Sequence, residues 1–176
     1  MPLLGTFGSN STKSLTPSPV GGAGAGLYAF VDATFTSGGA SGVSGPSLAQ
    51  ARTGISSTDD DTWKADTSYF NTLDGIQLWT VPADGDYRIE TWGASGGGYS
   101  GTGGYGSRMR GDFTLTSGDV IKILVGQTGG PSYGGGGGMT AVATNSNTPL
   151  IVSGGGNVNS PWSSTISHAT TSTTGQ

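Results

Sequence analysis

Short stretches in which apolar and polar residues alternate, each bounded by glycine or proline, predict a chain made of β-strands. The turn at residues 83–86 predicts a hairpin between the strands on either side of it, and the turn at residues 117–119 predicts a second hairpin. One short helix is predicted over residues 47–52, where Pro46 or Ser47 would begin it. The predicted strands span residues 27–36, 75–82, 87–92, 113–116, 120–125 and 150–152.

The apolar residues of these strands are sufficient for one modest core, which favours a single folded domain. Alternation along the strand 87–92 places Ile89 inward and Glu90 outward. The residues expected to supply the core are Trp79, Ile89, Trp92, Phe113, Leu115, Ile123, Val125 and Ile151.

Glycine is concentrated in three clusters that follow or precede strands, within residues 93–106, at 134–138 and at 154–156. One interpretation is that these clusters are flexible linkers. The other is that they form the left-handed threefold extended helix called polyglycine II, in which backbone groups point outward and several helices can approach and hydrogen-bond because no Cβ intervenes. We favour the second interpretation, because a bundle of packed glycine helices explains how a chain with few apolar residues becomes ordered.

Composition excludes several classes of partner. The chain has 176 residues, 35 of them glycine, with 7 basic and 11 acidic residues and a formal charge of -4. Without an excess of positive charge, we expect no binding to nucleic acid or to anionic lipid. No stretch approaches the roughly 18 apolar residues of a membrane span, so we expect no membrane insertion. The absence of cysteine excludes disulfides and thiolate metal sites.

The composition divides the chain into an N-terminal arm at residues 1–26, a glycine-rich β domain at residues 27–162 and a Ser/Thr-rich tail at residues 163–176. The arm cannot bury enough surface to order itself, so we expect an extended arm that becomes ordered by binding partner chains. The tail has no closing element, which leaves open that the natural chain continues beyond Gln176. The arm residues expected to dock are Met1, Pro2, Leu3, Leu4 and Phe7.

Groups for catalysis are scarce. The one histidine, His168, lies in the polar tail, the one glutamate is Glu90, and the hydroxyl nucleophiles have no base nearby in sequence. Residues 101–106 fit the dinucleotide-binding pattern G-x-G-x-x-G, but a strand rather than a helix follows them. We therefore expect no enzymatic activity and no cofactor.

Two groups of residues are candidates for binding. Asp59, Asp60 and Asp61 form an acidic run that is expected to be a solvated turn, with a calcium site as the weaker alternative. Three tyrosines in the glycine clusters suit stacking on a carbohydrate or contact with a protein, although capping the glycine bundle or closing a contact with a neighbouring chain fits them equally. These tyrosines are Tyr99, Tyr105 and Tyr133.

Residues 110–112 spell Arg-Gly-Asp, the integrin-binding tripeptide. In a glycine-rich β protein we expect this tripeptide to form a turn at the start of a strand with a flanking salt link, rather than a recognition site.

In collinear order, several segments resemble the glycine-rich domain of the anaplastic lymphoma kinase and leukocyte tyrosine kinase receptors. The resemblance implies an all-β fold, a tumour-necrosis-factor-like β-sandwich with glycine helices inserted into it. Those receptors also carry cysteines, a signal sequence and a kinase, which this sequence lacks, so recognition of cytokines does not follow. The matching segments are residues 74–83, 86–89, 92–97, 111–115, 123–127, 134–138 and 149–156, with residues 45–51 resembling the start of the same domain.

Within this family, residues 1–8 and 108–113 resemble the glycine-rich structural proteins of marine tailed phages, including cyanophages. This resemblance implies a structural protein in the tail region of the virion, a tail fibre or baseplate-associated component, made in the host cytoplasm and bound to other virion proteins through its arm. Proteins of this kind commonly form homo-oligomers, so we expect a homo-oligomer, with a trimer as the first expectation. The alternatives are an adhesin that binds a host surface glycan or outer-membrane protein, and a head decoration protein.

Overall fold

The computed structural model of this chain describes residues 3–6, 26–42, 44–58, 61–98, 103–130, 135–159 and 168–171, with residues 3–6 described by their backbone. The regular secondary structure of these residues is mainly β-strand, and one α-helix and one 3-10 helix precede β3. The elements in chain order are β1 (Leu3–Thr6), β2 (Asp32–Phe35), α1 (Leu48–Gly54), the 3-10 helix (Thr62–Ala65), β3 (Phe70–Leu73), β4 (Ile76–Thr80), β5 (Gly85–Trp92), β6 (Arg108–Leu115), β7 (Val120–Leu124), β8 (Thr140–Thr144) and β9 (Pro149–Ser153).

The strands form two sheets. One has the order β2-β1-β5-β6 and the other the order β3-β4-β7-β8-β9. Neighbouring strands are antiparallel except at β1, which runs parallel to both β2 and β5. The expectation of an all-β chain is thus confirmed.

The core contains side chains from both sheets. Trp79 of β4 and Ile89 of β5 are fully buried, as is Phe35 of β2, and the 3-10 helix adds Trp63. Trp92 and Phe113, which were expected in the core, are only partly buried. The other expected core residues are buried, namely Leu115, Ile123, Val125 and Ile151.

Both predicted hairpins are wrong, because the strands that flank each turn belong to different sheets. At the first turn, Val81 is fully buried, so the chain crosses from one sheet to the other instead of folding back within one. The two crossings are bonded to each other, since the Val81 amide donates to the carbonyl of Asp119 at 2.8 Å and the Gly118 amide donates to the carbonyl of Val81 at 2.9 Å. The two crossings lie at one end of the sheets.

At the opposite end, β5 pairs with β6 along its full length and β7 pairs with β8, and the connections between these partners are the glycine-rich residues 93–107 and 125–139. The glycine-rich residues that follow β9 leave from the same end, because β9 is antiparallel to β8. The topology therefore collects the glycine-rich segments in one place.

The predicted short helix is confirmed as α1. Ser47 caps it, because the Gln50 amide donates to the Ser47 hydroxyl and the Ser47 amide donates to the Gln50 side-chain oxygen at 3.0 Å. Ala51 is the residue that α1 buries against the core. No helix among the described residues has the length and apolarity needed to cross a bilayer.

Candidate functional site: the glycine cluster

Five glycine-rich segments pack together at one end of the two sheets, and we call them the glycine cluster. They are joined mainly by hydrogen bonds between backbone groups, and the Ser107 hydroxyl adds a side-chain link to Gly154. The segments are residues 93–98, 103–107, 126–130, 135–139 and 154–159.

The segment 93–98 bonds to segment 135–139 at intervals of three residues. The Ala94 amide donates to the carbonyl of Gly138 at 2.9 Å, and the Gly97 amide donates to the carbonyl of Gly135 at 3.1 Å. The two segments run in opposite directions, because an advance of three residues on one matches a retreat of three on the other.

The carbonyls of Ala94 and Gly97 accept hydrogen bonds from another segment, 154–159. The Gly156 amide donates to the carbonyl of Ala94 and the Asn159 amide to that of Gly97, both at 2.8 Å. Here an advance of three residues on one segment matches an advance of three on the other, so these segments run in the same direction. Residues three apart therefore point the same way.

A third neighbour, segment 103–107, is hydrogen-bonded to Gly96, which lies between Ala94 and Gly97 in the chain. The Gly96 amide donates to the carbonyl of Gly104 at 2.9 Å, and the Gly103 amide donates back to the carbonyl of Gly96 at 3.0 Å. The Gly104 amide in turn donates to the carbonyl of Asn157 at 2.8 Å, which ties this segment to segment 154–159. The segment 93–98 is thus enclosed by bonded neighbours on several sides.

Glycine is required in the cluster because of space. A Cβ on Gly156 would lie on the carbonyl of Gly104, and one on Gly137 would lie on that of Ala94, in both cases inside the 3.0 Å that real Cβ atoms respect. None of the cluster glycines has a positive φ, so side chains are excluded by the neighbouring backbone and not by conformation. The same exclusion holds at Gly93, Gly96, Gly97, Gly103, Gly106, Gly126, Gly129 and Gly155.

Tyr105 is the most exposed of the large apolar and aromatic side chains that the structure describes, at 65%. Its ring stacks on the imidazole of His168 with centroids 5.2 Å apart, and its amide donates to Nδ1 of that histidine at 2.9 Å. The Ala169 amide donates to the Tyr105 carbonyl at 2.9 Å. The C-terminal residues therefore lie against the cluster and cover one face of the tyrosine ring.

Tyr99 and Tyr133 lie outside the described residues, but the segment ends beside them are adjacent. The Gly97 amide donates to Gly135, and Gly98 forms an isolated bridge with Asn159.

The calcium site considered for the acidic run stays a prediction, because only one of its three aspartates is among the described residues. Asp59 and Asp60 lie outside these residues, and the Asp61 carboxylate is paired with the ammonium of Lys64, which also donates to the carbonyl of Ile55 at 3.1 Å. Among the described residues, no group of three or more His, Cys, Asp and Glu could hold a metal ion.

Of the expected docking residues, Met1, Pro2 and Phe7 lie outside the described residues. Leu3 and Leu4 belong to β1, which pairs with β2 and β5 of the same chain. The described part of the arm is therefore a strand of this chain's own sheet, which short-range patterns did not indicate. The domain boundaries at residues 26 and 162 remain predictions.

The Arg-Gly-Asp tripeptide lies within β6 instead of in a turn before it. The expected salt link is present, because Arg88 on β5 donates to Asp112 at 2.8 and 3.2 Å. These hydrogen bonds from the guanidinium hold the pKa of Asp112 below its usual value.

Glu90, expected to point into solvent, is 3% exposed. It is paired with Arg108 across the strand pair β5 and β6, and the Arg108 guanidinium lies 5.3 Å from the ring centroid of Trp92. The expectation that Glu90 faces solvent is therefore wrong, because Arg108 from the neighbouring strand covers its carboxylate.

One open cavity of about 460 Å³ lies between the end of β6 and the strands β7 to β9. Asp119 is the only titratable residue that lines it. Its other lining residues are Thr114, Leu115, Val120, Ile121, Thr144, Asn145, Ser146 and Leu150.

No protein-family model matches the chain. The chain is similar to the leukocyte tyrosine kinase receptor of Mus musculus, with 38% identity over 110 residues. This similarity covers 58% of the chain but only 12% of the receptor, the part that is its glycine-rich domain. It supports a glycine-rich domain of the leukocyte and anaplastic lymphoma kinase receptor type.

Proposed function

We propose that this protein is a non-enzymatic structural component of a tailed-phage virion, located in a tail fibre or at the baseplate, that presents the glycine cluster as a rigid projection. The observation that carries the proposal is the three-residue spacing of the hydrogen bonds that segment 93–98 makes with its neighbours. No cofactor takes part.

The spacing supports a bundle of polyglycine II helices inserted in a tumour-necrosis-factor-like sandwich. A helix with three residues per turn and no internal hydrogen bonds directs the backbone groups of residues i and i+3 to the same neighbour. Ala94 and Gly97 follow this rule on both their donor and acceptor sides. An α-helix would satisfy these groups internally, and a β-strand would alternate with a period of two.

Such a bundle suits a mechanical role. Glycine loses more backbone entropy on ordering than any other residue, so a single glycine segment has no stable structure of its own. Hydrogen bonds from neighbouring segments offset this entropy loss in every segment. Because each segment depends on the others, the segments of the cluster should separate only all together. Because proteases cut chains that open locally, a projection of this kind would resist cleavage although it has few side chains.

The phage assignment is supported by the resemblance of residues 1–8 and 108–113 to phage structural proteins. The proposal includes binding to other virion proteins through the arm. It also includes a homo-oligomer, with a trimer as the first expectation.

Amine-reactive cross-linking of purified virions, followed by mass spectrometry, tests the phage assignment. The Met1 amine and Lys13 report on the arm, and Lys64 and Lys122 serve as matched probes on the β domain. Cross-links from the arm to tail or baseplate proteins are expected. Absence of this chain from particles, or an arm without such links, would refute the assignment.

The second candidate function is adhesion to a host surface glycan or outer-membrane protein, which the exposure of Tyr105 favours. Tyr105→Ser tests this function, with Val152→Ser as a control at another exposed apolar side chain, on β9. An adhesin loses binding to host cells on the first substitution alone. If the protein is a scaffold, neither substitution changes how much of it binds to host cells.

A further inference from the structure

The strand β1 occupies an unusual position for so short an element. It has four residues and pairs along its whole length with β2 on one side and β5 on the other, and both pairings are parallel. Leu4 is in register with Ala33 and with Ile89, both fully buried. Within the described residues β2 and β5 do not pair with each other, so β1 fills a slot between them.

The walls of this slot are held by contacts that do not involve β1. On the far side of β2, the Thr34 amide donates to the Ser56 carbonyl at 2.7 Å and the Ser56 amide donates back at 3.1 Å. The Phe35 ring lies 6.2 Å from that of Phe70 and 6.3 Å from that of Trp79. The other wall, β5, is paired with β6 over eight residues. Both walls of the slot therefore have partners other than β1.

The connection between the strand and its slot is long. Residues 7–31 separate Thr6 from Asp32. The Leu27 amide donates to the carbonyl of Pro82 at 2.8 Å, which holds the end of this connection on the domain. At full extension residues 7–26 reach about 65 Å, which is enough to reach an adjacent copy of a small domain. Long connections raise the local concentration of the tethered strand only to about the millimolar range. Copies held side by side in an oligomer present their strands to one another at similar local concentrations. A neighbour's strand can therefore compete with the chain's own strand for the slot.

We propose that the space between β2 and β5 is a strand-binding site and that residues 3–6 of one copy occupy this site in a neighbouring copy, which joins the copies of a homo-oligomer. The ligand is an extended peptide that pairs through its backbone on both sides. In a separate chain the same strand fills its own slot, as in the present structure. The proposal does not depend on the protein being part of a phage.

Disulfide trapping between full-length chains tests the proposal, because the chain has no cysteine of its own. Leu3 is in register with Arg88, and neighbouring strands place paired Cα atoms within the distance that a disulfide spans. One tagged chain carries Leu3→Cys and a differently tagged chain carries Arg88→Cys, and the two are produced together. Thr114→Cys is the matched control, exposed on β6 and separated from the slot by β5.

Exchange predicts a disulfide between the two tagged chains, with a yield at least about tenfold above that of the Thr114→Cys control, because the paired site gains the effective concentration of a bound strand. Excess synthetic peptide of residues 1–8 should lower this yield. If the double variant Leu3→Cys, Arg88→Cys closes an internal disulfide while separately tagged chains do not link, exchange is refuted. If the double variant does not close either, the slot itself is refuted.

Discussion

A single methyl group on Gly156 should break the packing of the glycine cluster, whereas the same methyl group two residues earlier should not. The Cβ of Gly156→Ala would meet only backbone, the carbonyl group of Gly104 and the carbonyl carbon of Tyr105, and these cannot rotate away as a side chain would. The Cβ of Gly154→Ala would lie 3.8 Å from the Ser107 hydroxyl oxygen, an ordinary contact. Both substitutions add the same atoms to the same segment.

The size of the effect follows from the hydrogen bonds that must shift. To make room at Gly156, segment 103–107 has to move away from segment 154–159, which stretches the bond from the Gly104 amide to Asn157 and the bond from the Gly96 amide to Gly104. Two bonds at about 1 kcal/mol each, with about 1 kcal/mol of overpacking strain, give a loss of about 3 kcal/mol. At Gly154 the restriction of the unfolded chain should instead stabilise the protein by about 0.4–1 kcal/mol.

Thermal and urea unfolding measure both variants, with hydrogen exchange of the cluster amides as a local probe. A loss of about 3 kcal/mol lowers the Tm by roughly 6–12 °C in a domain of this size. Gly154→Ala should leave Tm unchanged or raise it slightly. Equal effects of the two substitutions, or full protection of the Gly97 and Gly104 amides in Gly156→Ala, would show that these segments are not packed as described.

Three further predictions concern the rest of the fold. Ser47→Ala should lower the free energy of unfolding by about 1 kcal/mol in urea titrations by removing the cap of α1, and Ser47→Asp should restore most of it. Arg108→Ala should cost about 1–2 kcal/mol, because the buried Glu90 carboxylate loses its guanidinium, while Arg108→Lys should cost less; equal costs would argue against the charge pair. Burial raises the pKa of Tyr87 to about 12, so its contribution to stability is present below pH about 10 and is lost as pH rises towards 12; Tyr87→Phe should flatten this alkaline decline in melting temperature.

The strands were predictable because the residue pattern that identifies each of them lies within the strand itself. Short apolar or alternating runs identified β4, β5, β7 and β9, and Pro46 or Ser47 as a helix start identified α1. The hairpins failed because a turn motif reports that the chain reverses, and not which sheet the next strand joins. That choice depended on the burial of Val81 and on the bonds between the two crossings.

The two features that were missed both involve partners far apart in sequence. The strand β1 pairs with residues 32–35 and 88–91, and nothing in its four residues marks them as a strand rather than as part of an arm. Glu90 is covered by Arg108, from which it is separated by two of the five segments of the glycine cluster. In contrast, the glycine clusters were visible in the composition, but their hydrogen-bond partners were not, since glycine carries no side chain that distinguishes one neighbour from another.

The position of segment 93–98 implies that the cluster and the core fold as one unit. Its bonded neighbours are extensions of β6, β7, β8 and β9, so they meet only after strands of both sheets have been placed. Such contacts are almost all distant in sequence, which makes their formation a late step. A core substitution far from the cluster, such as Ile121→Val on β7, should therefore lower the exchange protection of the Gly97 amide by the same factor as that of an amide in β5. Unchanged protection at Gly97 would mean that the cluster holds together independently of the sheets, which would contradict an order of assembly imposed by the topology.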